Sequence, residues 1–395
     1  MLVAVGVGGD RRDDASLDEL AALASSAGVE PVVRVVVQRA RRDPTYYIGS
    51  GKAQEIGALL AERGIGLVMF DNDLSPAQQR NLERLWSARV ADRTDVILEI
   101  FAQRAQSHEG KLQVELARLE RQSSRLVRAW THLERQQGGA GVRGGPGEKQ
   151  IELDRRMIGT RIKQLRERLV KLERQRGTRR RARHRRGTLG VSLVGYTNAG
   201  KSTLFGALTG ADAYAANQLF ATLDTLSRKL ALPTRAEVVL SDTVGFIRDL
   251  PHQLVEAFRA TLEETAGADV LLHVIDFASP ERDEQAEQVN RVLAEIGAAD
   301  VPTILVCNKI DAAGREPGVE RDACGSIQKV FLSARNGAGL ELLRQALVEF
   351  AESADVNAPA GSEPTPSDPT VSDAPEAPGA GAAPISTLEP GRDPS

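Results

Sequence analysis

The chain has 395 residues, 41% of them hydrophobic, which is enough for two or three domains with cores of their own. Two cysteines, Cys307 and Cys324, exclude a disulfide framework, and no apolar run approaches the length of a membrane span, so a reducing cytoplasm fits and membrane insertion does not. The formal charge of −3 hides strong segregation: residues 108–186 hold 23 Lys and Arg against 9 Asp and Glu, about +14 in one segment, a charge suited to a polyanion.

The opening MLVAVGVGGDRRDD has no basic residue ahead of its short apolar run and does not read as a secretory signal. Over residues 1–107, apolar runs at 2–7, 32–37 and 67–70 alternate with helical patterns, which predicts a small α/β domain. Two helix starts carry capping-box spacing, Ser16 with Glu19 and Ser75 with Gln78, the second with Pro76 at the first helical position. The GSGK at 49–52 lacks the spacer and the following Ser or Thr of a phosphate loop and reads as a helix-start turn.

Residues 108–186 change to heptads. Leu112, Leu116, Leu119, Ser123, Leu126, Trp130 and Leu133 recur in steps of four and three, as do Ile151, Arg155, Ile158, Ile162, Leu165, Leu169 and Leu172. Between them lies a glycine-rich stretch, 138–147, that no helix would survive, so the two seams are predicted to face each other in an antiparallel coiled-coil hairpin. Each arm of roughly 25 residues would reach about 40 Å. The loop has almost no side chains and is thin enough to enter a narrow RNA cavity; Gly139, Gly141, Arg143, Gly144 and Gly145 are its candidate RNA contacts. The run RGTRRRARHRR, 176–186, ends the arm as a basic linker or a polyanion contact.

Residues 187–352 repeat strand and helix patterns of a doubly wound sheet and carry four motifs in order. GYTNAGKS, 195–202, fits G-x-x-x-x-G-K-[ST] after a strand and before a helix, so Gly195, Tyr196, Thr197, Asn198, Ala199, Gly200, Lys201, Ser202 and Thr203 are candidate phosphate binders. The glycines let backbone N–H groups wrap phosphate oxygens, Lys201 would reach the terminal phosphates, and Ser202 would ligate Mg2+. In DTVG, Asp242 ends a strand where a carboxylate can hold magnesium, Thr243 and Val244 follow, and Gly245 offers its N–H to the γ-phosphate. Phe246 then stands where many such proteins place a water-orienting glutamine, and a phenyl ring cannot do that work. In LFATLDT, Phe220, Ala221 and Thr222 flank the loop; Thr222 would complete the magnesium shell when the γ-phosphate is present, with Thr225 as its competitor. NKID supplies Asn308, Lys309 and Asp311, whose carboxylate can accept from N1–H and the 2-amino group of guanine but finds no such donors on adenine, and Ser333, Ala334 and Arg335 support the same base. GTP or GDP is therefore the expected nucleotide, with Lys201, Thr222 and Gly245 the candidate catalytic residues. His273 and Cys307 read as core residues of apolar strands. Beyond 353 the chain holds half of all its prolines and no aromatic residue, which predicts a disordered tail.

Together YIGSGKAQEI, LSPAQQRNLE, GGAGVRGGPGEKQIELDRR, GYTNAGKSTLF, LFATLD, DTVGFIRDLP and NKID resemble the GTPases of translation-factor type, and more specifically the HflX family, over about residues 45–351. That resemblance implies an N-terminal α/β domain with a helical hairpin, a G domain, binding to the large (50S) ribosomal subunit and its rRNA, and splitting or rescue of stalled ribosomes under stress. The hairpin loop would then reach toward the peptidyl-transferase centre. Asn198 resembles the asparagine through which related GTPases bind K+. A cytoplasmic monomer that binds no DNA is expected. Two other classes share a similar G domain. A tRNA-modifying GTPase would carry a C-terminal catalytic cysteine, which the stretch after 353 lacks, and a GTP-switched coiled-coil scaffold would carry a mixed-charge rather than a basic hairpin.

Overall fold

A computed structural model of the chain describes residues 1–8, 14–136, 146–184, 187–210, 218–233 and 237–356. The N-terminal part runs β1 (Leu2–Val7), α1 (Asp14–Ser26), β2 (Arg34–Arg39), α2 (Ser50–Arg63), β3 (Leu67–Phe70), α3 (Pro76–Trp86), β4 (Arg89–Asp92) and α4 (Arg93–Arg104). Two long helices follow, α5 (His108–Gln136) and α6 (Pro146–His184). Next come β5 (Leu189–Gly195), α7 (Lys201–Thr209), β6 (Leu226–Leu230), β7 (Val238–Asp242), α8 (His252–Ala257), α9 (Arg259–Ala266) and β8 (Val270–Asp276). The last elements are α10 (Arg282–Glu295), β9 (Thr303–Asn308), α11 (Ile310–Ala313), β10 (Gly318–Arg321), β11 (Ile327–Phe331) and α12 (Leu340–Val356).

The first sheet is all parallel, in the order β2-β1-β3-β4. The second has seven strands, β10-β11-β9-β8-β5-β7-β6, with a parallel centre and an antiparallel strand at each edge. Short, near-continuous apolar strands such as VLLHVID fit this burial on both faces. The switch from β5 outward to β7 on one side and β8 on the other opens the crevice at the carboxyl ends of the strands where ligands bind in such sheets.

Several local expectations meet their structure. Ser75 forms the capping box with Gln78, and Gly49, with φ 84°, precedes α2 as a helix-start turn rather than a phosphate loop. The apolar run at 32–37 forms its strand two residues later, because the ladder to β1 pairs Leu2 with Arg34. Ser16 starts no helix; α1 begins at Asp14, and the Glu19 carboxylate accepts from Arg93 and Tyr196 instead of reaching back to a cap. The helix after the glycine-rich stretch begins at Pro146, inside the predicted loop, since proline at the first helical position costs no backbone bond. The basic run at 176–186 continues α6 through His184, in keeping with the good helix propensity of arginine. The rest of that loop, including Gly139, Gly141, Arg143, Gly144 and Gly145, and the Pro-rich tail beyond 356 lie outside the described residues.

α5 and α6 pack through Leu112, Leu116, Leu165 and Leu169, with Leu119, Ile162 and Leu172 alongside. Glu109 pairs with Arg176 and Glu120 with Arg166, so the helices run in opposite directions. α5 is also fastened to the first sheet: Arg121 and Arg125 both reach Asp92 and Asp95, the capping pair of α4.

One apolar cluster is continuous across the two sheets. It joins Leu17, Leu20, Ile97 and Phe101 to Tyr196, Phe220, Phe246 and Phe258. Phe101 stands edge-on to Phe220 at 4.7 Å and to Phe258 at 4.8 Å. Beside it lies Arg93, only 3% exposed, which donates to Asp71 at 2.7 Å, to Glu19, and to the backbone carbonyl of Arg248 at 3.0 Å. Removing one partner of such a pair leaves an uncompensated buried charge. Arg93→Ala should therefore lower the unfolding free energy by about 3–5 kcal/mol, measured by urea denaturation.

Candidate nucleotide site

Strand β5 ends at Gly195 and helix α7 begins at Lys201, and the turn between them is shaped by steric necessity. Gly195 has φ 147°, and a Cβ there would lie 2.2 Å from the Val274 carbonyl oxygen; at Gly200, φ 96°, a Cβ would lie 2.2 Å from Asn308 Nδ2. Asn198 takes φ 61°, a left-handed conformation that asparagine tolerates better than most residues. Opposite the turn, the Phe246 N–H donates to the Gly195 carbonyl at 3.1 Å and the Thr197 N–H donates to the Phe246 carbonyl at 2.6 Å, so two motifs are laced together by backbone.

Three sequence-predicted side chains converge at one point. Ser202 Oγ and Thr222 Oγ1 each donate to Asp242 Oδ2 at 2.8 Å and lie 2.8 Å from each other. The other carboxylate oxygen, Oδ1, is buried with no hydrogen-bond partner. Burial pushes the Asp242 carboxyl up, while Lys201 and the two hydroxyls pull it back. Two hydroxyls and a carboxylate with a spare oxygen form an all-oxygen donor set, which fits a hard divalent cation such as magnesium. Thr225 takes no part: its hydroxyl makes no hydrogen bond.

Lys201 is folded over the loop, donating to the carbonyls of Gly195 at 3.0 Å and Tyr196 at 2.8 Å. A Cβ on Gly245 would lie 2.9 Å from its ammonium, so the absence of a side chain there keeps the approach open. Thr197, Thr203 and Ala221 line the same small cavity of about 50 Å³. A far larger groove, about 1040 Å³, lies between β4, α3, α4 and α5 and contains none of the motif residues.

At the other end of the crevice, Asn308 donates from Nδ2 to the Ala199 carbonyl at 2.9 Å and accepts the Ala334 N–H on Oδ1 at 2.9 Å. It ties the phosphate turn to the loop carrying Ser333, Ala334 and Arg335. Lys309, at φ 64°, donates to Asp276 Oδ2 at 2.7 Å, and Asp311 stands exposed in the first turn of α11. Ser333 is buried, with its N–H on the Ala338 carbonyl at 2.9 Å.

Some predicted residues have other work. The Thr243 hydroxyl donates to the Leu193 carbonyl at 2.6 Å, and the Val244 and Phe246 side chains belong to the apolar cluster shared by the two sheets. Tyr196 contributes its backbone to the turn, while its hydroxyl donates to Glu19 of α1 and accepts the Arg248 N–H at 2.7 Å; burial, then the neighbouring Glu19, pushes its phenol far above the usual range. Glu19 and Arg93, which engage the G-domain segments from outside the motifs, carry no sequence signal of that role, while Asp224, inside LFATLD, turns to the backbone of Gln106 and Ser107. His273 is buried on β8, and burial followed by nearby Lys201 pushes it down to about 4, so it stays neutral.

Three family models cover most of the chain: "GTP-binding GTPase N-terminal" matches residues 14–102, "GTP-binding GTPase Middle Region" 104–183, and "50S ribosome-binding GTPase" 190–309. The chain is 54% identical to "GTPase HflX" of Escherichia coli (strain K12), covering 86% of this chain and 79% of that one. It belongs to the HflX GTPase family. A second HflX, from Magnetococcus marinus, is 49% identical over 83% of this chain and 76% of its own. Among solved structures, a complex of SsGBP with GDP covers 89% of this chain and 99% of its own at 25% identity and a TM-score of 0.48. Membership in the HflX family establishes GTP hydrolysis as the activity. No helix among the described residues is long and apolar enough to cross a membrane.

Burial pushes the Lys201 ammonium down from its ordinary 10.5 to about 8, with Asp242 opposing the shift. The cost of burying this cation is therefore full below pH 8 and is relieved as pH rises from 8 toward 10.5. Phosphate oxygens would restore the charge. GTP binding at pH 9 should accordingly take up about one proton, and the uptake should shrink toward pH 7, as read by calorimetry in buffers of different ionisation enthalpy.

Proposed function

We propose that this HflX-family GTPase binds the large (50S) ribosomal subunit through its rRNA, with the two-helix arm as the contacting element, and that it splits or rescues stalled ribosomes in the cytoplasm as a monomer. The observation that carries this reading is the arm itself. The segment 108–186 bears about +14, far more than two packed helices need for solubility, and it leads directly into the strand that ends in the phosphate turn. The family model's own description, a 50S ribosome-binding GTPase, agrees with that partner. Neutralising several phosphates makes affinity fall steeply with salt. Sedimentation of the full chain with purified 50S subunits, 30S subunits or free tRNA should show binding to 50S, stronger with a non-hydrolysable GTP analogue than with GDP and weakened by salt. Preference for free tRNA would favour a tRNA-directed GTPase instead. Replacing 139–146, which includes Arg143, by a short neutral turn should leave GTP binding unchanged and impair action on ribosomes.

At the nucleotide, Ser202, Thr222 and Asp242 would hold Mg2+, which when bound supplies charge neutralisation between the phosphates. Lys201 would exchange its two loop carbonyls for phosphate oxygens, and the Gly245 N–H would meet the γ-phosphate. Asp311 would read guanine from the first turn of α11. Asp311→Asn should shift preference from guanine toward xanthine nucleotides by about 100-fold or more in competition binding, because the 2-position of xanthine is an acceptor.

Phe246 is pinned to the phosphate turn on both its N–H and its carbonyl, and its ring is buried in the apolar cluster, so this residue cannot orient water. Unassisted hydrolysis should be slow, and a cation at Asn198 is the available electrostatic help. Potassium should raise turnover above that in sodium at equal ionic strength, and Asn198→Ala should erase the difference.

A further inference from the structure

Asp224 lies two residues beyond Thr222, on the segment that leads to β6, and its carboxylate is turned to the start of the arm. Oδ2 accepts the N–H groups of Gln106 at 2.9 Å and Ser107 at 2.8 Å, and Oδ1 accepts the Ser107 hydroxyl. Ser107 in turn starts α5: its Oγ accepts the Gly110 N–H at 2.8 Å and its carbonyl accepts the Lys111 N–H at 3.1 Å. Gly110 sits inside a helix, where alanine would be favoured by about 1 kcal/mol, but a Cβ there would lie 2.3 Å from Asp224 Oδ1. The next link lies across the arm, where Glu109 pairs with Arg176 of α6 at 2.9 Å. The same short segment thus holds a hydroxyl on Asp242 at one residue and the first turn of α5 two residues later.

We propose that Asp224 is a positioning residue that couples the nucleotide site to the two-helix arm. The bonds that begin α5 brace Thr222 against Asp242, and displacement of Thr222 loosens the first turn of α5. Coupling of this kind is reciprocal, so whatever holds the arm also holds the segment that recognises GTP. The inference rests on the reading of Thr222 as the residue that responds to the γ-phosphate.

The test uses the full-length chain and four variants, Asp224→Ala, Asp224→Asn, Gly110→Ala and Thr222→Ala. Affinities for GDP and for a non-hydrolysable GTP analogue are measured beside hydrogen exchange at the amides of 106–112. Asp224→Ala should bind GDP within about twofold of the parent but the analogue about 10-fold more weakly, a split that general destabilisation would not produce. Exchange at 106–112 should differ between the two nucleotides in the parent and become equal in Asp224→Ala. Asp224→Asn, which keeps an acceptor oxygen, should fall between, and Gly110→Ala should reproduce the loss by pushing the carboxylate away. Equal weakening of GDP and analogue, or exchange in Asp224→Ala that still follows the nucleotide as in the parent, overturns the proposal. If Thr222→Ala keeps the parent's preference for the analogue, the reading of Thr222 fails; if that variant loses the preference while Asp224→Ala keeps it, the coupling fails alone.

Discussion

Arg93 is a cation with almost no contact with water, and the way it is satisfied organises the junction of the two sheets. Two carboxylates neutralise it from the N-terminal side, and the Nη2 that binds Glu19 also reaches the backbone carbonyl of Arg248, two residues beyond Phe246. The Arg248 N–H is held by Tyr196, whose hydroxyl also binds Glu19. Both backbone groups of one residue in the segment that follows the DTVG motif are therefore fixed by groups that answer to the N-terminal sheet. Buried ion pairs earn little net stability on their own, so the gain here is geometric. The apolar cluster around Phe101 supplies cohesion, and the polar chain supplies register.

Within this frame the nucleotide crevice is preassembled. Asn308 bridges the phosphate turn and the Ser333 loop by two neutral hydrogen bonds, and the Gly195 carbonyl accepts from both Phe246 and Lys201. A site whose walls are bonded to one another loses little conformational freedom on binding. At its centre the Lys201 ammonium is buried and Asp242 retains an unused oxygen.

The parts of this arrangement that were legible in sequence are those whose chemistry is local. A glycine-rich turn between strand and helix is specified by backbone geometry over eight residues, and the NKID motif by the end of one strand. Expectation failed where a residue's partner lies far along the chain. Glu19 has cap spacing from Ser16, yet its partners stand 74 and 177 residues away. Thr222 is the preferred residue on sequence with Thr225 as its competitor, and the fold brings Thr222 to Asp242. The strand at Arg34–Arg39 slipped because an edge ladder admits arginine facing solvent, so hydrophobicity alone did not mark its start. Asp224 stands inside LFATLD with no role legible from its neighbours, because the amides it accepts from are 117 and 118 positions upstream.

The length of α6 gives the junction mechanical leverage. Its 39 residues form a rod of about 58 Å, and β5, which ends in the phosphate turn, begins five residues after it. A rigid rod amplifies rotation at its base in proportion to its length, so a tilt of about 5° carries the far end through about 5 Å. A small rotation at the base of α6 would therefore reach its far end as a displacement on the scale of a nucleotide base.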